Sequence, residues 1–125
     1  MLTRFGILLL SCMVLSSCQE TFRACTTQYV PAIELEIYDA ETGEFATGGS
    51  KVVIRDGDYI EVHSIPEHSS PGFYYYVAGA YERPGVYRIT VRRPGYQGWA
   101  LSDLVVLKNE CHVITQTIDV ALKPR

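Results

Sequence analysis

A chain of 125 residues has room for one domain and no second. Hydrophobic residues make up 47% of it and nine are tyrosines; with Val, Ile and Thr also frequent, the composition suits pleated sheet better than helix. A formal charge of −3 offers no uniform basic surface for a phosphate backbone, so no nucleic-acid partner is expected, and the cluster Arg83, Arg88, Arg92 and Arg93 reads as the solvent face of a strand and its turn.

The chain opens with a short positive head ending at Arg4, followed over residues 5–15 by an apolar stretch interrupted only by small side chains. That is the pattern of a secretory signal. It is too short to span a bilayer, which takes about 20 apolar residues, and polar side chains resume at Gln19 and Glu20. Leu15-Ser16-Ser17-Cys18 is similar to the lipobox of bacterial lipoproteins: an aliphatic residue, two small ones, then the cysteine that takes the lipid. The resemblance implies cleavage before Cys18, a diacylglyceryl group on its thiol and a further acyl chain, such as palmitate, on its freed amino group. Two or three chains, at about 0.8 kcal/mol per buried CH₂, make dissociation negligible. The expected location is the bacterial cell envelope. Gln19, where an Asp would resemble an inner-membrane retention signal, favours the outer membrane.

Cys12 falls in the segment expected to be removed and Cys18 is committed to lipid, which leaves Cys25 and Cys111. In an oxidising envelope these two should form a disulfide rather than a metal site or a nucleophile. The bridge would staple the tether to the domain. Six residues from Gln19 to Ala24 reach at most about 20 Å, so the domain would sit close to its membrane. The expected organisation is a signal peptide over 1–17, a lipidated tether over 18–31, a β domain over 32–122 and a tail over 123–125.

Along the domain, residues 32–39 alternate, with Ile33, Leu35 and Ile37 on one face and Glu34 and Glu36 on the other, as in a half-buried strand. Residues 39–50 carry turn chemistry. Two β-rich runs, 51–55 and 58–64, flank Asp56-Gly57, which suits a tight hairpin. Residues 65–72 form a loop, and 73–81 read as an aromatic strand. After Arg83-Pro84-Gly85 comes a strand over 86–92 with Tyr87, Ile89 and Val91 inward. A loop over 94–98 leads to Trp99 and a strand over 104–107. The last strand, within 111–122, places Ile114, Ile118, Val120 and Leu122 on one face. About seven short strands predict an all-β, seven-stranded sandwich with Greek-key connections.

Ile37-Tyr38-Asp39-Ala40-Glu41-Thr42-Gly43, then Gly48-Gly49-Ser50-Lys51-Val52-Val53-Ile54, resembles the D-x-x-T-G turn and following strand of carboxypeptidase regulatory-like or transthyretin-like domains. Gly85-Val86-Tyr87-Arg88-Ile89-Thr90-Val91, followed by Pro94-Gly95-Tyr96, resembles their G-x-Y-x-I-x-V strand and P-G-Y turn. The likeness covers residues 32–122. It implies the sandwich, with Tyr87 filling the core, and an accessory or structural role; it brings no active site. Some transthyretin-like proteins are hydrolases with a Tyr-Arg-Gly-Ser tail, whereas this chain runs Leu122-Lys123-Pro124-Arg125, against the hydrolase reading.

His63, His68 and His112 have no H-x-x-x-H or C-x-x-C spacing, so no metal site or cofactor is expected. Asp56 and Asp58 fall short of the six to eight or so oxygens that calcium takes. No serine lies in a G-x-S-x-G elbow. No catalytic residue is assigned, and the expected function is a non-catalytic, membrane-anchored binding or scaffolding module with an envelope protein partner. Tyr74, Tyr76, Tyr96 and Trp99 are the candidate binding surface, since exposed aromatic clusters mark interfaces. The alternative is a carrier or sensor of a small ligand or glycan that uses the same aromatics.

Overall fold

A computed structural model describes residues 24–67 and 76–125. Cys18 with its lipobox, His68, Tyr74 and Tyr75 lie outside the described residues. The fold is all-β, as expected. Seven strands run in the order β1 (Ile33–Asp39), β2 (Lys51–Asp56), β3 (Tyr59–Ser64), β4 (Tyr76–Gly79), β5 (Gly85–Arg92), β6 (Trp99–Val106) and β7 (Gln116–Leu122). They form a three-stranded sheet, β4-β1-β7, facing a four-stranded sheet, β3-β2-β5-β6.

Alternation in the sequence becomes the core. Ile33, Leu35 and Ile37 of β1, Val52 and Ile54 of β2, Tyr87, Ile89 and Val91 of β5, and Val120 and Leu122 of β7 are buried between the sheets. Glu34 and Glu36 point to the other face of β1, the separation that a two-residue side-chain period produces. The Tyr87 ring is inside, and its hydroxyl donates to the Arg83 carbonyl, which ties the start of β5 to the turn before it.

The hairpin forms where Asp56-Gly57 marks it. Asp56 pairs with Tyr59, so the two loop residues are Gly57 and Asp58. Gly57 has φ +55°, the left-handed conformation that the first loop residue of a II′ turn takes. The D-x-x-T-G turn is equally concrete: Asp39 Oδ1 accepts the amides of Glu41 and Thr42 at 2.8 and 2.9 Å, and Gly43 closes the turn on the Asp39 carbonyl with φ +73°.

Two expectations need correction. The last strand begins at Gln116, and Ile114 is 47% exposed instead of core. The Asn109 side chain caps the amides of Cys111 and His112, which holds the preceding segment as a loop, and Val113 is the side chain this loop buries. The sixth strand starts at Trp99, not near Leu104. A bulge sets Ser102 and Asp103 against Arg88, with Asp103 at φ +58°, and so breaks the alternation that would have marked one long strand.

The sandwich has two poles. At one, Cys25 and Cys111 stand at disulfide distance, sulfurs 1.96 Å and Cα atoms 5.2 Å apart. Beside them Thr26 Oγ1 lies 2.9 Å from His112 Nε2, the Val30 amide donates to Glu82 Oε1 at 2.9 Å, and the Tyr29 and Tyr81 rings stack at 4.8 Å. The other pole carries the ends of β1, β5 and β7 and the start of β2. There Tyr96 pairs with Pro124 in an isolated bridge.

Candidate functional site: a cationic sheet face

Of the aromatic residues expected to form a surface, Tyr76 stands apart from Tyr96 and Trp99. Tyr76 is 54% exposed on β4, opposite Glu36, on the outer face of the three-stranded sheet. Trp99 begins β6, an edge strand of the other sheet, and packs half-buried against the core. The two edges are on opposite sides of the sandwich: the backbone just after β4 meets Glu61 of β3, whereas β6 lies toward β7. Tyr96 is also half-buried, and its hydroxyl is already engaged, donating to Asp39 Oδ2 at 2.7 Å.

Strand pairing assembles a different surface. On β2 and β5 the inward residues are Val52, Ile54, Ile89 and Val91, so Lys51, Arg55, Arg88 and Arg92 all point outward from the four-stranded sheet. The register sets Lys51 directly opposite Arg92 and Arg55 directly opposite Arg88. Two like-charged pairs therefore face each other across one strand pair, separated by the Val53–Thr90 pair. Like charges placed so are destabilising. Arg88 donates to Ser102 Oγ at 2.7 Å, and none of the four cations enters an ion pair among the described residues.

Aliphatic side chains fill the spaces around them. Ile60 lies beside Arg55, Val62 beside Val53, and Val86 beside Val105. All but Val53 are about half exposed, at 50–53%. The outer face of the other sheet is the electrostatic opposite: Glu34, Glu36 and Asp119 project from it, with Glu36 opposite Asp119, and its strands carry no Lys or Arg. The Tyr38 hydroxyl, donating to Glu36 at 2.6 Å, has its pKa pushed up to about 12. The domain is thus charge-polarised across its thickness, basic on one sheet and acidic on the other. Of the expected arginine cluster, Arg88 and Arg92 do stand on a solvent face, but Arg83 is paired with Asp56 at 2.8 Å and lies over the Tyr59 ring at 4.1 Å. Lys51 and Arg55 went unmarked in the sequence, although the alternation of residues 51–55 points both outward.

The two described histidines serve separate carboxylates. His63 Nε2 lies 2.7 Å from Glu61 Oε2, and His112 Nδ1 lies 2.7 Å from Glu82 Oε1. Burial raises the Glu61 carboxyl, but hydrogen bonds from His63, Tyr59 and the Ala80 amide outweigh that and leave it below its ordinary value. The Tyr59 hydroxyl, desolvated and bonded to the same carboxylate, is pushed up to about 12. Glu82 is held low by the Val30 amide first and by His112. Each carboxylate therefore ties one structural element to another. Among the described residues no three or more His, Cys, Asp or Glu stand close enough together to hold a metal ion.

No protein-family model matches the chain, and no curated protein matches it. The functional reading therefore stands on the motifs and on this surface.

Proposed function

We propose that the protein is a non-catalytic lipoprotein of the bacterial cell envelope, held by lipid on Cys18, whose sandwich binds an acidic protein partner through the outer face of β3-β2-β5-β6. The lipobox, the Gln19 that follows it and the staple near the tether support the location, with the outer membrane favoured. The motifs at Asp39 to Gly43 and at Gly85 to Tyr96 support an accessory domain of the carboxypeptidase regulatory-like kind.

One observation carries the binding role: the facing cation pairs Lys51–Arg92 and Arg55–Arg88. Folding gains nothing from placing like charges opposite one another, whereas a partner bearing carboxylates would neutralise both pairs. The exposed aliphatic residues between them supply the apolar contact that a purely electrostatic encounter lacks. The carrier reading has less support, because Tyr76 stands apart from Tyr96 and Trp99.

Site-specific photocrosslinking from position 90, at the centre of the face, in intact envelopes tests the proposal. A single recurring protein adduct that disappears on Arg55→Glu with Arg88→Glu is expected. Adducts that survive this charge reversal, adducts to lipid alone, or none would overturn it.

A further inference from the structure

At the pole far from the disulfide, the cationic face runs into a groove of about 450 Å³. We infer that this groove is a binding site for a small soluble polyanion, a ligand bearing two or more phosphate or carboxylate groups. Lys51 and Arg92 reach it from the sheet, Arg93 from the turn after β5 and Arg125 from the end of β7's extension. Among the described residues none of the four is ion-paired, and no Asp or Glu side chain lines the groove. Glu67, whose side chain lies near Gly49, is the acid on its rim.

The walls are set before any ligand arrives. The Arg125 amide donates to the Gly95 carbonyl at 3.0 Å and its Nε–H to the Tyr96 carbonyl at 3.2 Å, which fixes where that side chain leaves the backbone. The Arg93 guanidinium lies over the Tyr96 ring at 5.1 Å, and that ring is itself held by Asp39. Preorganised cations lose less entropy on binding than free side chains do. Space is left open at glycine: nothing lies within 4 Å of where a Gly98 side chain would begin, and Gly49 holds φ +79°, which residues with a side chain rarely adopt, with Arg93 Nε 3.4 Å from where one would begin.

Size and charge select the ligand. The volume falls in the range of small-molecule sites, roughly 300–1,000 Å³, but such sites are mostly apolar and here only Pro94 and Tyr96 supply apolar wall. A single carboxylate engages one guanidinium fork, so three arginines and a lysine in one groove call for several oxyanion groups. The location argues for a soluble source. β1 runs from the disulfide pole to Asp39 over seven residues, about 20 Å of strand, so the groove points away from the side where the tether enters.

The test is calorimetric titration of the detergent-solubilised full chain with pyrophosphate and with citrate at about 50 mM salt, where screening is modest. Saturable binding of one anion per chain is expected. Arg93→Gln and Arg125→Gln should each weaken it by about tenfold or more, and the two together should weaken it more than Arg55→Gln with Arg88→Gln, which removes the same charge from outside the groove. Melting temperatures establish that the variants are folded. No saturable binding, or binding indifferent to Arg93→Gln and Arg125→Gln, would overturn the inference. Flotation of a Cys18→Ser chain with phosphatidylglycerol vesicles forms a second arm. Vesicle binding that requires Arg93, without pyrophosphate or citrate binding, would assign the groove to headgroups and overturn the soluble-ligand assignment. Position-90 crosslinks read the sheet face separately, so the two proposals fail independently.

Discussion

The Tyr96 hydroxyl donates to Asp39 Oδ2 across 2.7 Å, joining two turns that are 57 residues apart. The other oxygen of the same carboxylate organises the D-x-x-T-G turn through the Glu41 and Thr42 amides. One side chain thus fixes the end of β1 and anchors the P-G-Y turn beside the cationic groove. Tyr96→Phe is expected to keep the fold but lower the melting temperature, and to weaken pyrophosphate binding by loosening Arg93. Calorimetry on the variant reads both.

Acid should undo this pole and the tether together. The Asp39 carboxyl is held below its ordinary value by Tyr96 first and then by the Thr42 and Glu41 amides, and Glu61 and Glu82 are also lowered. A carboxyl whose folded pKa lies below its unfolded one contributes stability above the ordinary carboxylate range, and that contribution is lost as pH falls through the folded value. Melting temperature should be flat near neutrality and fall below about pH 4.5. Tyr96→Phe should make the fall shallower, since Asp39 then keeps less of its depression and loses less stability on protonation; an unchanged acid limb would show that Tyr96 does not stabilise the Asp39 carboxylate.

Reduction of the staple is a separate matter of chain entropy. Cys25 and Cys111 are 86 residues apart, and a crosslink over such a loop stabilises by about 2–5 kcal/mol. Urea denaturation of the oxidised domain and of the Cys25→Ser, Cys111→Ser variant should differ by that amount. The loss should also free residues near Tyr29 first, because they hold to the Tyr81–Glu82 turn through a ring stack, the Glu82 carboxylate and the bond from the Glu82 amide to the Val30 carbonyl. Hydrogen exchange at the Val30 amide reports it.

How far the sequence reached depended on the range of the interactions. Alternation located β1 and β5 and their inward residues because a strand's side-chain period is local, and Asp56-Gly57 marked its hairpin because turn chemistry is local too. Ile114 kept the phase of Ile118 and Val120 yet lies outside the strand, since the Asn109 cap, not periodicity, decides where that loop ends. The cationic face was hidden for a stronger reason. Arg55 and Arg88 become neighbours only because β2 pairs with β5 while the intervening β4 joins the other sheet, and nothing in either strand records that choice.

Gly79 tests the packing between the sheets. A methyl group there would collide with Glu61 Oε2 and Ile54 Cδ1 and press on His63, so these side chains would have to move for β4 to keep its place against β3. Gly79→Ala should cost about 1–3 kcal/mol as overpacking, measured by urea denaturation. It should also disturb the Ala80 amide bond to Glu61, which NMR of that amide follows.

The like-charged pairs offer the sharpest separation of stability from function. Arg55→Glu would replace a repulsive cross-strand pair with an attractive one to Arg88, and opposite charges so placed contribute roughly 0.2–1 kcal/mol, toward the low end for an exposed pair. The variant should therefore melt slightly higher than the parent. Its partner adducts from position 90 should nevertheless vanish, because the acidic surface now meets a carboxylate and a cation already engaged. A variant both more stable and unable to bind would mean that the parent chain leaves these cations without an ion pair for its partner's sake. A variant that gains stability and keeps its adducts would remove the argument for this face.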